Sequence, residues 1–394
     1  KGVTGFEKLG LSFAGDSIVL DDISMGAFSN NTVSVAITAD VSGTGLDVSN
    51  VKNSNAAINL DTTKVTAGST TSFILSNGKD MLEGGAGIDK VIVTDEVYIG
   101  ASDVLKGGSG DNNVLAFNDQ GAVATNTFAA SQFVGVTGFN TWSITDTANT
   151  GTDETFDITI DNAVAAANAH STTSTLTVEM DANSANDDTL KLDASTVGAA
   201  VKLNVTGGDA GDTIKTGAGD DVITGGLGAD TITTGQGKDT VMITSVLAAD
   251  TVTDFNFGAA AGKTDANIDK LDLNGIKGAG FNWDSAFDTI QTINADATAI
   301  ATDSDIVILA HKAFDNDAAV DVYLEANNTG NIDGDLVVIY QDTLGRVRVA
   351  FADGDGNQST AAGADYTTSD VAILTNVTLA GVKDIIDTGD FVVV

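Results

Sequence analysis

Cysteine and proline are both absent from this chain of 394 residues. No disulfide and no thiolate metal site is therefore available, and slow prolyl isomerisation does not enter folding. Basic residues are also few: 18 Lys and Arg stand against 55 Asp and Glu, and the net charge is −37. This charge excludes nucleic acid as a partner, because binding to phosphates needs cationic groups that displace counterions. It favours divalent cations instead.

Long apolar runs are missing as well. Leu336–Tyr340 and Phe391–Val394 have only the length of strands, so no transmembrane segment is expected. The start of the chain lacks the charged-then-apolar pattern of an export signal, and because it begins with Lys1 we expect it to be part of a longer protein. Its only histidines, His170 and His311, form no zinc motif or triad, and no nucleophile elbow occurs. We therefore expect no enzymatic activity.

Residues 207–242 consist of four consecutive nine-residue units. The glycines in the first half of each unit allow tight turns through positive φ, and one apolar residue flanked by Thr predicts a short strand in the second half. Asp and Gly that act only as turn formers are the alternative interpretation. The fixed spacing favours a metal-binding coil. The sixth and eighth places of the units hold Asp212 and Ile214, Asp221 and Ile223, Asp230 and Ile232, and Asp239 and Val241.

The third unit, Gly225–Thr233, resembles the G-G-x-G-x-D-x-U-x repeat of RTX proteins at every fixed place. The resemblance implies an all-β fold with parallel β-roll or β-solenoid segments that hold several Ca²⁺ ions between turns. Two units complete one coil in that family, so Asp212 would pair with Asp230, and Asp221 with Asp239. Carboxylates and turn carbonyls supply the oxygens that Ca²⁺ requires. The implied ligands are Gly207, Asp209, Asp212, Thr216, Ala218, Asp221, Gly225, Leu227, Asp230, Thr234, Gln236 and Asp239.

A weaker array of the same kind lies earlier in the chain. Its units are 75–83, 84–92, 98–106 and 107–115, and the sixth place of the last unit holds Asn112, with Val114 at the apolar place. Asn112 and the irregular turn that begins at Tyr98 make the second site of this array the weaker one. The implied ligands are Asp80, Gly84, Ala86, Asp89, Asp103, Gly107, Ser109 and Asn112.

The two arrays predict a tandem duplication followed by a different C-terminal part. The opening segment Gly2–Ser12 returns in altered form as Gly135–Thr145, each copy preceding a strand-rich stretch and then an array. The predicted domains are therefore 1–134, a β-rich module that ends in the weak array, 135–255, the second copy, and 256–394, a β-rich capping and secretion-signal domain.

Several segments outside the arrays carry further predictions. Asp250–Phe255 and Asp269–Leu273 resemble the strands that close RTX rolls in type I secreted proteins, and Asp250 and Asp254 either complete the last metal site or lie on a solvated strand. Leu336–Tyr340 and Arg346–Phe351 predict a hairpin. Three segments keep alternatives open: Asp353–Asn357 as a calcium loop or a turn, Ala163–Ala169 as a helix, strand or loop, and Leu374–Val394 as a type I secretion signal or a final edge strand.

The chain as a whole resembles RTX-type surface-layer (S-layer) proteins. The resemblance implies a calcium-dependent two-dimensional lattice of identical copies on the bacterial cell surface, export by the type I secretion machinery, and attachment to lipopolysaccharide through an N-terminal part outside this sequence. An RTX adhesin and the calcium-binding part of a secreted hydrolase are the alternatives. Binding to a saccharide or host surface, rather than self-assembly, would distinguish the adhesin.

Overall fold

The computed structural model separates the chain into two compact units, unit 1 (Lys1–Val205) and unit 2 (Thr206–Val394). The boundaries predicted at 134 and 255 fall inside these units, and the three-part division remains a prediction. The structure describes residues 8–11, 17–21, 32–37, 44–51, 55–119, 125–146, 153–181, 188–258, 267–276, 290–295, 306–327, 336–354, 366–382 and 390–392. Within this part of the chain, no helix is long and apolar enough to cross a membrane.

Unit 1 is built from short strands that follow one another in parallel ladders. The strands are β1 (Lys8–Leu11), β2 (Ser17–Asp21), β3 (Thr32–Ile37), β4 (Thr44–Asn50), β5 (Ala57–Asp61), β6 (Thr70–Ile74), β7 (Lys79–Glu83), β8 (Ile88–Val93), β9 (Val104–Lys106), β10 (Val114–Asp119), β11 (Thr125–Phe128), β12 (Val136–Thr137), β13 (Thr141–Asp146), β14 (Thr155–Thr159), β15 (Thr175–Met180) and β16 (Thr189–Asp193), with β17 (Lys202–Thr206) at the boundary. Short 3₁₀ helices span Glu96–Tyr98 and Ala130–Phe133.

Successive strands of unit 1 alternate between ladders, which is the topology of a solenoid. The ladders run β1-β3-β5-β7-β9-β12, β2-β4-β6-β8-β10-β13-β15 and β11-β14-β16. The register stacks like residues: Leu60 lies beside Leu82, and Leu82 beside Leu105. All three are buried, because alternate side chains of a strand point to the same face. The core is therefore a column of apolar residues inside the coils.

A helix lies among the coils of unit 1. Helix α1 (Asn162–Asn168) follows Asp161, whose carboxylate accepts a hydrogen bond from the Val164 amide. This side-chain cap satisfies one of the free amides at the helix start. Of the three alternatives for Ala163–Ala169, the helix is confirmed.

Unit 2 combines a regular roll with a mixed sheet. Its strands are β18 (Thr213–Lys215), β19 (Val222–Thr224), β20 (Thr231–Thr233), β21 (Thr240–Met242), β22 (Asp250–Val252), β23 (Lys270–Asp272), β24 (Ile290–Ile293), β25 (Ile306–Phe314), β26 (Leu336–Asp342), β27 (Val347–Gly354), β28 (Tyr366–Leu374) and β29 (Phe391–Val392). One ladder runs β18-β20-β22-β28-β27-β26-β25-β24, and the other runs β19-β21-β23-β29. The parallel sheets of both units confirm the predicted all-β solenoid fold.

The C-terminal part of unit 2 contains the predicted hairpin and an unpredicted helix. Strands β26 and β27 pair antiparallel, with Val338 beside Ala350, as expected. Between β25 and β26 lies α2 (Asp317–Asn327), in a domain for which the sequence predicts β structure and no helix. Its Val320 and Leu324 are buried against the sheet. The short helix α3 (Leu379–Val382) follows β28. Of the candidate calcium loop, Asp353 and Gly354 belong to β27, and 355–357 lie outside the described residues.

Candidate calcium-binding roll

The four nonapeptides of unit 2 form the regular roll that their spacing predicts. Ile214 in β18 pairs with Ile232 in β20, and Ile223 in β19 pairs with Val241 in β21. All four side chains are fully buried. Residues two units apart therefore lie side by side on the same ladder, which confirms that two nonapeptides make one coil.

The sixth-place aspartates of alternate units stack into a first carboxylate column of Asp212, Asp230 and Asp250. The Asp212 amide donates to Asp230 Oδ1 at 2.8 Å, across 18 residues, and the Asp230 amide donates to Asp250 Oδ1 at 3.2 Å. The predicted pairing of Asp212 with Asp230 is confirmed. Asp250, for which a metal site and a solvated strand were the two alternatives, is buried and continues the column.

A second carboxylate column of Asp221, Asp239 and Asp269 is formed by the other pair of units. The Asp221 amide donates to Asp239 Oδ1 at 2.8 Å, and the Asp239 amide donates to Asp269 Oδ1 at 3.1 Å. Asp269 belongs to the predicted closing strand but was not expected in a site. Its position before an apolar residue, Leu271, repeats the sixth-to-eighth spacing and is the signal that identifies it.

The carboxylates of both columns are buried, and burial raises the pKa values of four of them: Asp230, Asp239, Asp250 and Asp269. Burial, together with the nearby charges of Asp269 and Asp221, raises the pKa of Asp239 to about 8. Burial raises the pKa of Asp230 as well, and burial together with the charge of Asp230 raises the pKa of Asp250 to about 8. Asp230 Oδ2 and Asp239 Oδ2 accept no hydrogen bond from the described residues. Because a buried, unpaired carboxylate oxygen is costly, the columns call for a cation.

Glycine allows the turns of successive coils to stack at close range. Gly226 has φ +114°, and a Cβ on it would lie 2.0 Å from the Gly208 carbonyl oxygen of the neighbouring coil. A Cβ on Gly225 would lie 2.0 Å from Asp230 Oδ2. The Leu227 amide donates to the same Gly208 oxygen at 3.0 Å. The glycines therefore bring backbone oxygens and column carboxylates into one layer.

The turn residues predicted as carbonyl ligands fall into two groups that differ in solvent exposure. The first-place residues are buried: Gly207, Thr216, Gly225 and Thr234. The third-place residues are half-buried or exposed: Asp209, Ala218, Leu227 and Gln236. The Thr216 hydroxyl donates to the Thr234 carbonyl oxygen at 2.6 Å. Their role as ligands remains a prediction.

The donor set of the roll fits a hard cation that takes part of its shell from backbone oxygens. Among the residues that the structure describes, no three His, Cys, Asp or Glu side chains are arranged to hold a metal ion by themselves. An ion in the roll would therefore take turn carbonyls beside carboxylates of the columns. This mixed oxygen shell suits Ca²⁺, which accepts six to eight oxygens in flexible geometry.

Asp254 stabilises the turn at the end of the roll. Its two carboxylate oxygens accept hydrogen bonds from the Thr234 amide at 2.8 Å and the Gly235 amide at 2.9 Å. It therefore caps a turn of the last nonapeptide, rather than extending a column.

The weak array of unit 1 forms two further columns, with one correction. The Asp80 amide donates to Asp103 Oδ1 at 2.9 Å, so these two aspartates, two units apart, lie side by side. The Asp89 amide, however, donates to Asn113 Oδ1 at 2.9 Å. Asn112, predicted for this place, is exposed with φ +69°, because the turn needs a left-handed residue and Asn tolerates that conformation. The apolar place shifts likewise, from Val114 to the buried Leu115.

The predicted turn ligands of this array are less enclosed than those of the roll. Gly107 is buried, Gly84 is half-buried, and Ala86 and Ser109 are exposed. The Ser109 amide donates to the Gly85 carbonyl oxygen at 2.8 Å. The turns of this array therefore stack as those of the roll do.

Comparison with known proteins agrees with the geometry of the roll. Residues 206–241 match the family model of the RTX calcium-binding nonapeptide repeat, in four copies. No curated protein and no solved structure matches the chain. The matched residues hold the four nonapeptides and most of the two carboxylate columns. Residues 206–241 are therefore RTX repeats that bind several Ca²⁺ ions, and they support an RTX-type protein.

Proposed function

We propose that this protein is a secreted structural component that assembles, in the presence of calcium, into a two-dimensional layer on the bacterial cell surface. The observation that carries the proposal is the pair of carboxylate columns, in which the buried oxygens Asp230 Oδ2 and Asp239 Oδ2 lack a donor. A roll built in this way is stable only when a cation, or protons at lower pH, neutralise the columns. Folding of the roll therefore depends on the calcium concentration of the surrounding medium.

Conditional folding suits export by type I secretion and assembly outside the cell. Where calcium is scarce, the clustered carboxylates repel one another and keep the roll open. Extracellular sites with dissociation constants of about 10⁻⁴–10⁻³ M fill in calcium-rich medium, and binding energy then becomes folding energy. In this proposal the chain itself catalyses no reaction. Attachment to lipopolysaccharide would use a part of the protein outside this sequence.

The charge of the chain gives a reason for assembly to depend on calcium. Copies with a net charge of −37 repel one another until cations neutralise their surfaces. An apolar contact point is available on unit 1, where Val97 is 58% exposed and Val134 is 71% exposed. Gln132 holds the two segments together by donating to the carbonyl oxygens of Glu96 and Ile99, each at 3.0 Å. In the proposed layer, Val97 and Val134 are contact residues between copies.

The test is assembly of the whole chain, dialysed from chelator into Ca²⁺ or Mg²⁺ and followed by light scattering and negative-stain electron microscopy. We expect ordered sheets with Ca²⁺ alone. Asp239→Asn should reduce both folding and assembly, because it removes a buried column carboxylate. Asp220→Asn is the matched control, since it makes the same change of charge on an exposed side chain of the same roll.

Two results would contradict the proposal. Calcium-dependent folding without any sheets, accompanied by binding to saccharide or host surfaces, would indicate the adhesin. A chain with a fully folded roll in chelator would contradict the role of the carboxylate columns itself.

A further inference from the structure

The carboxylate oxygens of unit 1 differ from those of the roll in how they are paired. In the roll, Asp230 Oδ2 and Asp239 Oδ2 accept no hydrogen bond. In unit 1, both oxygens of each column aspartate accept at least one. The donors are the Ser76 amide and hydroxyl to Asp80, the Thr62 and Thr71 hydroxyls and the Gly85 amide to Asp89, and the Asp80 and Gly100 amides to Asp103.

Hydroxyl groups supply the pairing of Asp89. Its Oδ1 accepts from the Thr62 hydroxyl at 2.8 Å and from the Thr71 hydroxyl at 2.6 Å. Hydrogen bonds to a carboxylate stabilise its charged form, and these donors occupy the lone pairs that a cation would otherwise use. Protein donors therefore occupy both oxygens of this carboxylate and offset part of the burial that raises its pKa.

The Asn113 side chain lies where its amide group can satisfy carbonyl oxygens of three turn residues. Its Nδ2 lies within hydrogen-bond distance of the carbonyl oxygens of Gly107 at 2.7 Å, Gly110 at 3.0 Å and Gly138 at 3.0 Å, so one of its two hydrogens is shared between two of these oxygens. Its Oδ1 accepts from the Asp89 amide. Convergent turn carbonyls are the ligands that Ca²⁺ takes in a roll, and Gly107 was one of the predicted ligands. Here the carbonyls receive N–H groups instead of an ion.

A second buried asparagine continues this arrangement in unit 1. Asn168 is fully buried, and its Nδ2 donates to the carbonyl oxygens of Val136 and Val164, each at 3.0 Å. Its Oδ1 accepts from the Phe139 amide at 3.0 Å. Neutral amides that both donate and accept can join neighbouring turns without any compensating charge.

We propose that side-chain amides and hydroxyls, with Asn113 at the centre, replace calcium in unit 1. Unit 1 then folds without the ion, and calcium controls the folding of the roll in unit 2. The predicted metal ligands of residues 75–115 are, in this account, structural residues. The inference rests on calcium binding by the roll and not on assembly into a layer.

Hydrogen exchange followed by mass spectrometry on the whole chain tests this inference directly. Exchange is measured in chelator, in Ca²⁺ and in Mg²⁺. We expect backbone amides of 75–119 to be protected in all three conditions, and amides of 207–254 to be protected with Ca²⁺ only. Loss of protection in 75–119 on chelation, to the same degree as in the roll, would overturn the proposal. A roll that stays protected in chelator would instead contradict the proposed function.

The variant Asn113→Asp provides an independent test, because it removes the amide donors and adds a charge beside Asp89. We expect exchange in 75–119 to become at least about tenfold faster in chelator, to slow again with Ca²⁺, and the number of bound ions to rise by about one. Asn112→Asp is the matched control: it makes the same chemical change one residue earlier, on an exposed side chain, and should alter neither quantity. Equal behaviour of the two variants would contradict the role of Asn113.

Discussion

Lowering the pH from 8 to 6 should weaken calcium binding by the second carboxylate column about fifty-fold through protonation of Asp239 alone. Burial and like charges raise the pKa of Asp239 to about 8, so about half of this carboxyl is ionised at pH 8 and about one hundredth at pH 6. Only the ionised form binds the cation. A fifty-fold loss corresponds to about 2.3 kcal/mol.

The sign follows from the raised pKa. Because the folded, calcium-free roll binds a proton more tightly than the unfolded chain does, protonation stabilises it, and this stability is lost as the pH rises through about 8. Calcium binds only the ionised carboxylate and therefore displaces the proton from Asp239. Calcium binding at pH 6 should therefore release about one proton from Asp239.

Isothermal titration calorimetry on the whole chain measures both quantities. Titrations at pH 6 and pH 8, each in two buffers with different heats of ionisation, give the calcium affinity and the number of protons released. Asp239→Asn should lower the proton count at pH 6 by about one, whereas Asp220→Asn should leave it unchanged. Equal affinities at both pH values, with no proton release in either buffer, would refute the reasoning.

Two further predictions concern the stability of the calcium-loaded roll, measured by urea unfolding. Gly235→Ala should destabilise it by about 3 kcal/mol or more, since Gly235 has φ +88° and the new Cβ would lie 1.9 Å from the Gly217 carbonyl oxygen. The control Gly345→Ala has a similar φ of +84° and no close backbone atom, so it should cost only about 1–2 kcal/mol. Equal losses of stability in the two variants would contradict the close stacking of turns. Ile232→Ala should cost about 2–5 kcal/mol as a core truncation, while Leu247→Ala, on an exposed side chain, should stay within about 0.5 kcal/mol.

The turns and strands of the repeats were predictable because each depends on residues within one nine-residue unit. Nine-residue spacing sets the turn and the strand. The fold class and the hairpin of β26 and β27 followed in the same way, from alternation within a few residues. The pairing of Asp212 with Asp230 was implied by the resemblance to RTX proteins, in which two units complete one coil.

The register at Asn112 and Asn113 could not be predicted from composition. The two neighbours are the same residue type, and the choice between them depends on which one takes the left-handed conformation of the turn. Helix α2 was a different case, because Val320, Tyr323 and Leu324 have the spacing of one helical face. That signal was present in a segment interpreted only as strands and loops.

The pairing of the last coil could not be deduced from local patterns, and it has a consequence for the order of folding. Strand β22 pairs with β28, β23 pairs with β29, and the Asn376 side chain donates to the Phe255 carbonyl oxygen across 121 residues. Coils of the roll form between near neighbours in sequence, which is fast, but these closing contacts wait for distant segments. In a chain that folds from its N-terminal end as it is synthesised, the edges of β22 and β23 therefore stay unpaired until β28 and β29 have formed. Completion of the sheet is then a late kinetic step that follows coil formation.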